Sequence, residues 1–313
     1  MASGGIRLDA ALLIRFPTTT RALVREACAA GVVMVNGRPA EKGRKLKDGD
    51  AVHVMTLPEA SDNRVLPDHD VVVRALFEDD ALLAFDKPAG IPVQPLSRNE
   101  TGTLMNGVVA RWPEVAKVGD GPLMAGALHR IDANTSGLVL VARTQQAFEA
   151  IRSQFAARMV GKVYLALVEG AVAAGGTLEN DLVHDQSLPY CRMIVRKVNA
   201  FNGIKSPKED RAMRAITTFR PLALTRCGME EQTLLEVTIR TGVTHQIRAQ
   251  LAAAGMHIVN DRLYGAFAVE DMVGHRLHAL AAAFAHPVSG ESCRIETPWP
   301  EWALRAMGRE TGN

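Results

Sequence analysis

Ala127-Leu128-His129-Arg130-Ile131-Asp132-Ala133-Asn134-Thr135-Ser136-Gly137-Leu138-Val139-Leu140-Val141-Ala142-Arg143 joins a polar knot, HRIDANTSG, to an apolar run, LVLVA. A rigid strand beside a polar loop is how sheet proteins hold a reactive group in place. Asp132 is the carboxylate of that loop. Thr135 and Ser136 carry hydroxyls suited to local backbone bonds, and Gly137 permits a tight turn or a close approach. On these residues alone, Asp132 reads equally well as a catalytic carboxylate and as a turn or helix-capping residue.

The surrounding composition narrows the classes. A chain of 313 residues, 47% hydrophobic and 22% charged, is long enough for about two domains with a real core. No apolar run reaches the ~18 residues of a membrane span, and the start lacks the apolar centre of a signal peptide, so a cytoplasmic protein without a membrane partner is expected. Cys28, Cys191, Cys227 and Cys293 show no paired spacing, and the nine histidines form no ligand motif. Reduced thiols and no metal follow. The net charge of +2 is uneven: residues 1–56 hold nine Lys and Arg against five Asp and Glu, a net of +4, leaving 27 against 29 elsewhere. A small basic unit suits a polyanion partner, although +4 is also an ordinary surface value.

Within that unit, residues 6–15 read as a helix with Leu8, Leu12 and Leu13 on one face. Thr18–Thr20 caps a second helix, about Arg21 to Ala30, burying Leu23, Ala27 and Ala30. Arg21 and Arg25 lie four apart on one face, where they can track phosphates. Two strands, VVMVNG and KLKDGDAVHV, follow, joined by a basic loop carrying Arg38, Lys42, Arg44 and Lys45. Residues 57–70, rich in proline and charge without periodicity, read as a linker to a second domain at 71–313.

In that second domain, strands are expected on both sides of Glu78-Asp79-Asp80, a helix from Thr103 to Trp112, and an amphipathic helix from Gln145 to about Met159. GKVYLALVEG is a strand carrying Tyr164, which reads more simply as a half-buried core tyrosine. Residues 180–214 are irregular; Arg192, Arg196, Lys197, Lys205 and Lys208 there suit either RNA or a solvated hairpin. AITTFRPLAL and QTLLEVTIRTG are strands by β-branched content. Thr244 is placed to cap a helix turning Ile247, Leu251 and Ala254 inward.

HRIDANTSGLVLVAR resembles the central motif of the RluA-type pseudouridine synthases, H-R-L-D-x-x-T-S-G-L before an apolar strand. The resemblance runs in order from residue 6 to about 300. DKPAGIPVQP is similar to the family's first motif and reads as scaffold, while THQIRAQLAAAGMHIVNDRLYG resembles its third. The first unit resembles the RNA-binding domain first described in small-subunit ribosomal protein S-four; the plainer reading is a basic α/β cap packed on the enzyme. Departures are Ala133 and Asn134 for a basic-acidic pair, Asp86 for Asn, Gln94 for His, Val243 for Arg or Lys, Gln250 for His and Asn260 for Gly.

The resemblance implies an α+β fold: a mixed, largely antiparallel central sheet with flanking helices, beside a small N-terminal α/β RNA-binding domain. It implies isomerisation of uridine to pseudouridine in structured RNA, ribosomal RNA ahead of transfer RNA, by a monomer without a cofactor. Asp132 would be the nucleophile, Arg248 its ionic partner, and Tyr164 the residue against the uracil that helps move the carbon-5 proton. Arg130 would fill the gap left by the displaced base or hold a phosphate, and a structural ion pair is the other reading. Carboxylate nucleophiles also serve retaining glycosidases, but those need a second carboxyl about 5–5.5 Å away, whereas Asp132 is flanked by Arg and Tyr. An inactive RNA-binding protein is the remaining alternative.

Overall fold

The structure, a computed structural model, describes residues 5–57, 64–97, 99–188, 191–196, 212–269 and 272–309. Helix α1 (Leu8–Arg15) buries Leu8 and Leu12. Thr20 caps α2 (Arg21–Ala29) by accepting from the Leu23 amide at 3.3 Å, pairing one of the amides that a first helical turn leaves free. The buried stripe of α2 is Leu23, Val24, Ala27 and Cys28, whereas Ala30, expected inside, is exposed past the helix end. Strand β1 (Val33–Val35) pairs antiparallel with β2 (Arg38–Pro39) and with β3 (Val52–Val54). The β1–β2 turn is Asn36-Gly37 with φ of 54° and 75°, the two-residue hairpin geometry that Asn-Gly favours.

β2 thus occupies the start of the expected basic loop. The following strand begins only at Val52, because Asp50 first folds the chain into a turn by accepting from the Lys47 amide at 2.9 Å. Arg21, Arg25, Arg38, Lys42 and Lys45 are exposed, and Arg44 is half-buried 3.9 Å from Asp50. Leu57 still packs on this unit's core, and Val65 is already buried against Met105 and Val108 of the larger unit. Residues 58–63 of the expected linker lie outside the described residues.

The larger unit is built on a ten-stranded sheet among the described residues. Its strands are β4 (Ala75–Glu78), β5 (Leu82–Lys87), β6 (Ser136–Ala142), β7 (Gly161–Glu169), β8 (Gly176–His184), β9 (Met193–Val195), β10 (Met213–Cys227), β11 (Glu230–Ile239), β12 (Leu277–Ala285) and β13 (Ser292–Glu296). The order is β4-β5-β6-β12-β7-β11-β10-β8-β9, with β13 on β12, and the β6–β12 pair alone is parallel. A mixed, largely antiparallel sheet is therefore the fold, as expected. Helices α3 (Leu104–Arg111), α4 (Gln145–Ala156), α5 (Gln246–Ala253) and α6 (Glu301–Ala306) cover it.

The period of two along a strand divides the core. Tyr164, Ala166 and Val168 of β7 pack with Phe148 and Ile151 of α4 and Ile247 and Leu251 of α5. The intervening Leu165 and Leu167 pack instead with Leu280 and with Ala303 of α6. On β6, Leu138 and Leu140 join the first set while Val139 and Val141 face α3. A fully buried side chain such as Phe148 contributes roughly 1.5–3 kcal/mol. Gly137 is required where it stands: its φ is 112°, and a Cβ would overlap the Ala279 backbone on β12.

Candidate active site

The loop that leads into β6 is fastened from three directions. The Thr135 amide donates to the Asp132 carbonyl at 3.0 Å, closing a turn. Lys87, at the end of β5, donates to the carbonyls of Pro88, Ile91 and Ala133 at 2.8, 2.8 and 2.9 Å. Thr135 Oγ1 and His275 Nε2 share a hydrogen bond of 2.8 Å, and Ser136 Oγ and His278 Nδ1 another of 2.8 Å. Burial pushes the Lys87 ammonium down to about 8 and both histidines down to about 4. His129 braces the base of the loop: its Nε2 accepts from the Leu140 amide at 3.0 Å, and burial lowers its pKa to about 3. It is an acceptor in the frame.

Lys87→Met keeps the length and removes every donor, leaving the carbonyls that Lys87 holds unpaired; each such loss costs about 1–3 kcal/mol. A lower melting temperature and a lower single-turnover rate are expected. Unchanged values of both would show that the other bonds hold the loop unaided.

Asp132 faces a cleft of about 950 Å³. Arg248 of α5 donates from Nη1 to Asp132 Oδ2 at 2.7 Å, and from Nε and Nη2 to the buried Asp261 at 2.7 and 2.8 Å. One guanidinium is thereby clamped by a two-pronged bond on the inside and presents one donor to the cleft. Burial works against its charge, yet the two carboxylates outweigh that and raise its pKa further. The Tyr264 ring lies 5.0 Å from the guanidinium carbon, and the Tyr264 hydroxyl accepts from the Met193 amide at 3.0 Å and bonds His245 Nδ1 at 3.1 Å. His245 Nε2 stands 3.8 Å from Asp132 Oδ1.

α5 does not start on Thr244. Its cap is His245, in the left-handed region at φ 51° without a side-chain cap bond. Gln246 closes the entry instead, accepting from the Thr241 hydroxyl at 2.8 Å and the Val243 amide at 3.2 Å. This entry turns Arg248 inward and leaves Ala254 exposed, contrary to the expected helix face.

Tyr164 is 7% exposed and lines the same cleft. Among the described residues its hydroxyl has no hydrogen-bond partner, and burial, with Asp132 nearby, raises its pKa. Arg130 is exposed on the cleft wall and has no ion pair among the described residues, against the structural-bridge reading. Arg152, Lys162 and Arg240 line the cleft as well, and Asp132 is its acidic residue.

The departures are accommodated locally. Asn260 takes the φ of 64° that glycine would take, and its amide nitrogen donates to the carbonyls of Met272 and Gly274. Gln250 is buried and satisfied by Thr217, Leu178, Asn180 and Ala215. Sequence reasoning assigns no chemistry to Asp261, Tyr264, Lys87 or Lys162. All four stand inside motif-like segments, but a buried carboxylate behind an arginine has no signature of its own. Lys197, Lys205 and Lys208 lie outside the described residues.

Comparison with known proteins gives the family. Residues 81–253 match the model of the RNA pseudouridylate synthase family. The chain belongs to that family. This synthase is 34% identical to "Ribosomal large subunit pseudouridine synthase D" of Xanthomonas campestris pv. campestris, over 98% of this chain and 89% of the relative. It is 31% identical to the "Uncharacterized RNA pseudouridine synthase YlyB" of Bacillus subtilis, over 94% and 91%. A solved structure, "Human RNA Pseudouridylate Synthase Domain Containing 1", aligns with TM-score 0.58 at 20% identity over 79% of this chain and 89% of that one, a likeness of fold. The synthase is an isomerase acting on RNA, and no described helix is long and apolar enough to cross a membrane.

Proposed function

We propose that this synthase isomerises a uridine of large-subunit ribosomal RNA, as a cytoplasmic monomer, with Asp132 as the nucleophile. The observation that carries the reading is a carboxylate, the one acidic residue among the described residues lining the cleft, held by an arginine whose other donors are tied to the buried Asp261. The names of the relatives support the RNA class. The reaction breaks a carbon–nitrogen bond, turns the base, and forms a carbon–carbon bond at the same sugar, so atoms and electrons balance within the substrate. A carboxylate suits a step that holds a fragment covalently. Asp132 Oδ2 is committed to Arg248, which leaves Oδ1 for attack, whether at the ring carbon or the anomeric carbon. Arg248 orients the carboxylate. Tyr164, whose phenol stays protonated, relays the carbon-5 proton through a neutral hydroxyl.

The target nucleotide must leave its stack, at a cost of a few kcal/mol. Contacts from the basic N-terminal unit and from Arg130 offset that cost. The test is to map pseudouridines in ribosomal RNA from cells with and without the protein. Loss of a large-subunit site, restored by wild type and not by Asp132→Asn, is expected. An unchanged map would overturn the assignment to ribosomal RNA.

Residues 1–56 have their own sheet and core. Their deletion is expected to leave the catalytic unit folded, weaken binding to structured RNA, and flatten its salt dependence by about 0.9 per lost duplex phosphate contact. Equal affinity and equal slope in the truncated protein would exclude this unit as the docking element.

A further inference from the structure

The buried cations of the catalytic unit are not equally partnered. Arg248 has two carboxylates and Lys87 three carbonyls. Among the described residues Lys162, 8% exposed on β7, donates only to the Thr241 carbonyl, at 3.0 Å, with its ammonium 5.8 Å from the Phe155 ring centre. No acidic side chain pairs with it among the described residues. An ammonium has three donors, so two have no partner among the described residues. Leaving a charge buried in that state is costly unless something enters to meet it.

The space beside the ammonium is open because residue 242 is glycine: a Cβ there would sit 3.3 Å from Lys162 Nζ. Gly242 is exposed and lines the cleft, as do Arg240 and Arg152, both also exposed. Lys162 and Tyr164 stand two apart on β7, hence on one face. Burial lowers the Lys162 pKa to about 8. The ammonium bonds the Thr241 carbonyl, whereas Asp132 is bonded by Arg248, which suits an anion beside the chemistry better than charge developing in it.

We propose that Lys162 and the bare backbone at Gly242 form a seat for one phosphodiester group of the RNA, at the cleft wall next to Tyr164. This rests on RNA being bound in the cleft for uridine isomerisation. Arg240 and Arg152 draw the strand toward the seat, and Lys162 fixes its register, so that the target base meets Tyr164. The seat supplies positive charge in a cleft where Val243 stands in place of a basic residue.

The test compares wild type, Lys162→Met and Gly242→Ala on a large-subunit ribosomal RNA transcript, by binding titrations across salt and by single-turnover rates at saturating enzyme. Lys162→Met should weaken binding roughly tenfold to a hundredfold and lower the salt slope by about 0.7–0.9. Its saturating rate should stay within a few-fold of wild type. Gly242→Ala keeps the charge but covers it, and should weaken binding in the same direction with an unchanged melting temperature. Overturning results are an unchanged salt slope in Lys162→Met, which makes the lysine structural, or a fallen saturating rate with unchanged binding, which places it in the chemistry. Absence of pseudouridine with wild type would instead be a failure of the functional reading, recognisable because it is independent of residue 162.

Discussion

Asp132→Asn is expected to fold, to bind RNA, and to form no pseudouridine above background. The amide is nearly the size of the carboxylate, and its oxygen can still accept from Arg248. As a nucleophile it is far weaker, so the covalent route is closed rather than slowed. A deficit of about a thousandfold or more is expected, equivalent to at least about 4 kcal/mol of barrier. Stability should suffer little, because Arg248 keeps both of its bonds to Asp261; weakening the remaining one costs at most about 1–3 kcal/mol. Single-turnover formation with enzyme in excess, beside a thermal melt, measures both. A folded variant within tenfold of the wild-type rate would mean that Asp132 is not the nucleophile.

Tyr164→Phe is expected to retain RNA affinity and lose most turnover, by about a hundredfold or more, the range of a positioned proton-transfer group. The ring stays packed among Ala166, Phe148 and Ile247, so the site keeps its shape. The hydroxyl, which has no partner among the described residues, is all that is removed. Since burial and Asp132 raise the phenol's pKa, it remains a neutral O–H across the working range. The wild-type rate should not climb as pH approaches the ordinary tyrosine value near ~10; a climb there would indicate a tyrosinate base instead. Equal single-turnover rates for Tyr164→Phe and wild type would leave the residue a stacking role alone.

Much of this was legible in the chain. GKVYLALVEG was readable as a strand carrying Tyr164, and the switch from the polar HRIDANTSG to the apolar LVLVA located the loop with Asp132. What was not legible depends on contacts distant in sequence. Nothing near Lys87 announces that its ammonium will hold the Ala133 carbonyl, 46 residues away. Nothing near Asp261 announces that it will grip Arg248 from behind. Local rules also failed where tertiary packing won. Thr244 had the chemistry of a cap, but Gln246 bonds Thr241 and Val243, and the helix starts one residue later on a left-handed histidine.

The position of β12 divides the molecule in an unexpected way. β6 and β7 are separated in sequence by one helix, yet they are not neighbours in the sheet; β12 lies between them. A nascent chain that stops short of residue 277 thus holds two half-sheets, each with an open edge. The loop of Asp132 belongs to one half, and Tyr164 and Arg248 to the other. The strand that joins them, slim through its middle run of Ala281, Ala282 and Ala283, is among the last parts of the sheet to be synthesised. In the finished sheet the carboxylate and its arginine thus sit on either side of a strand that comes after both of them in the chain.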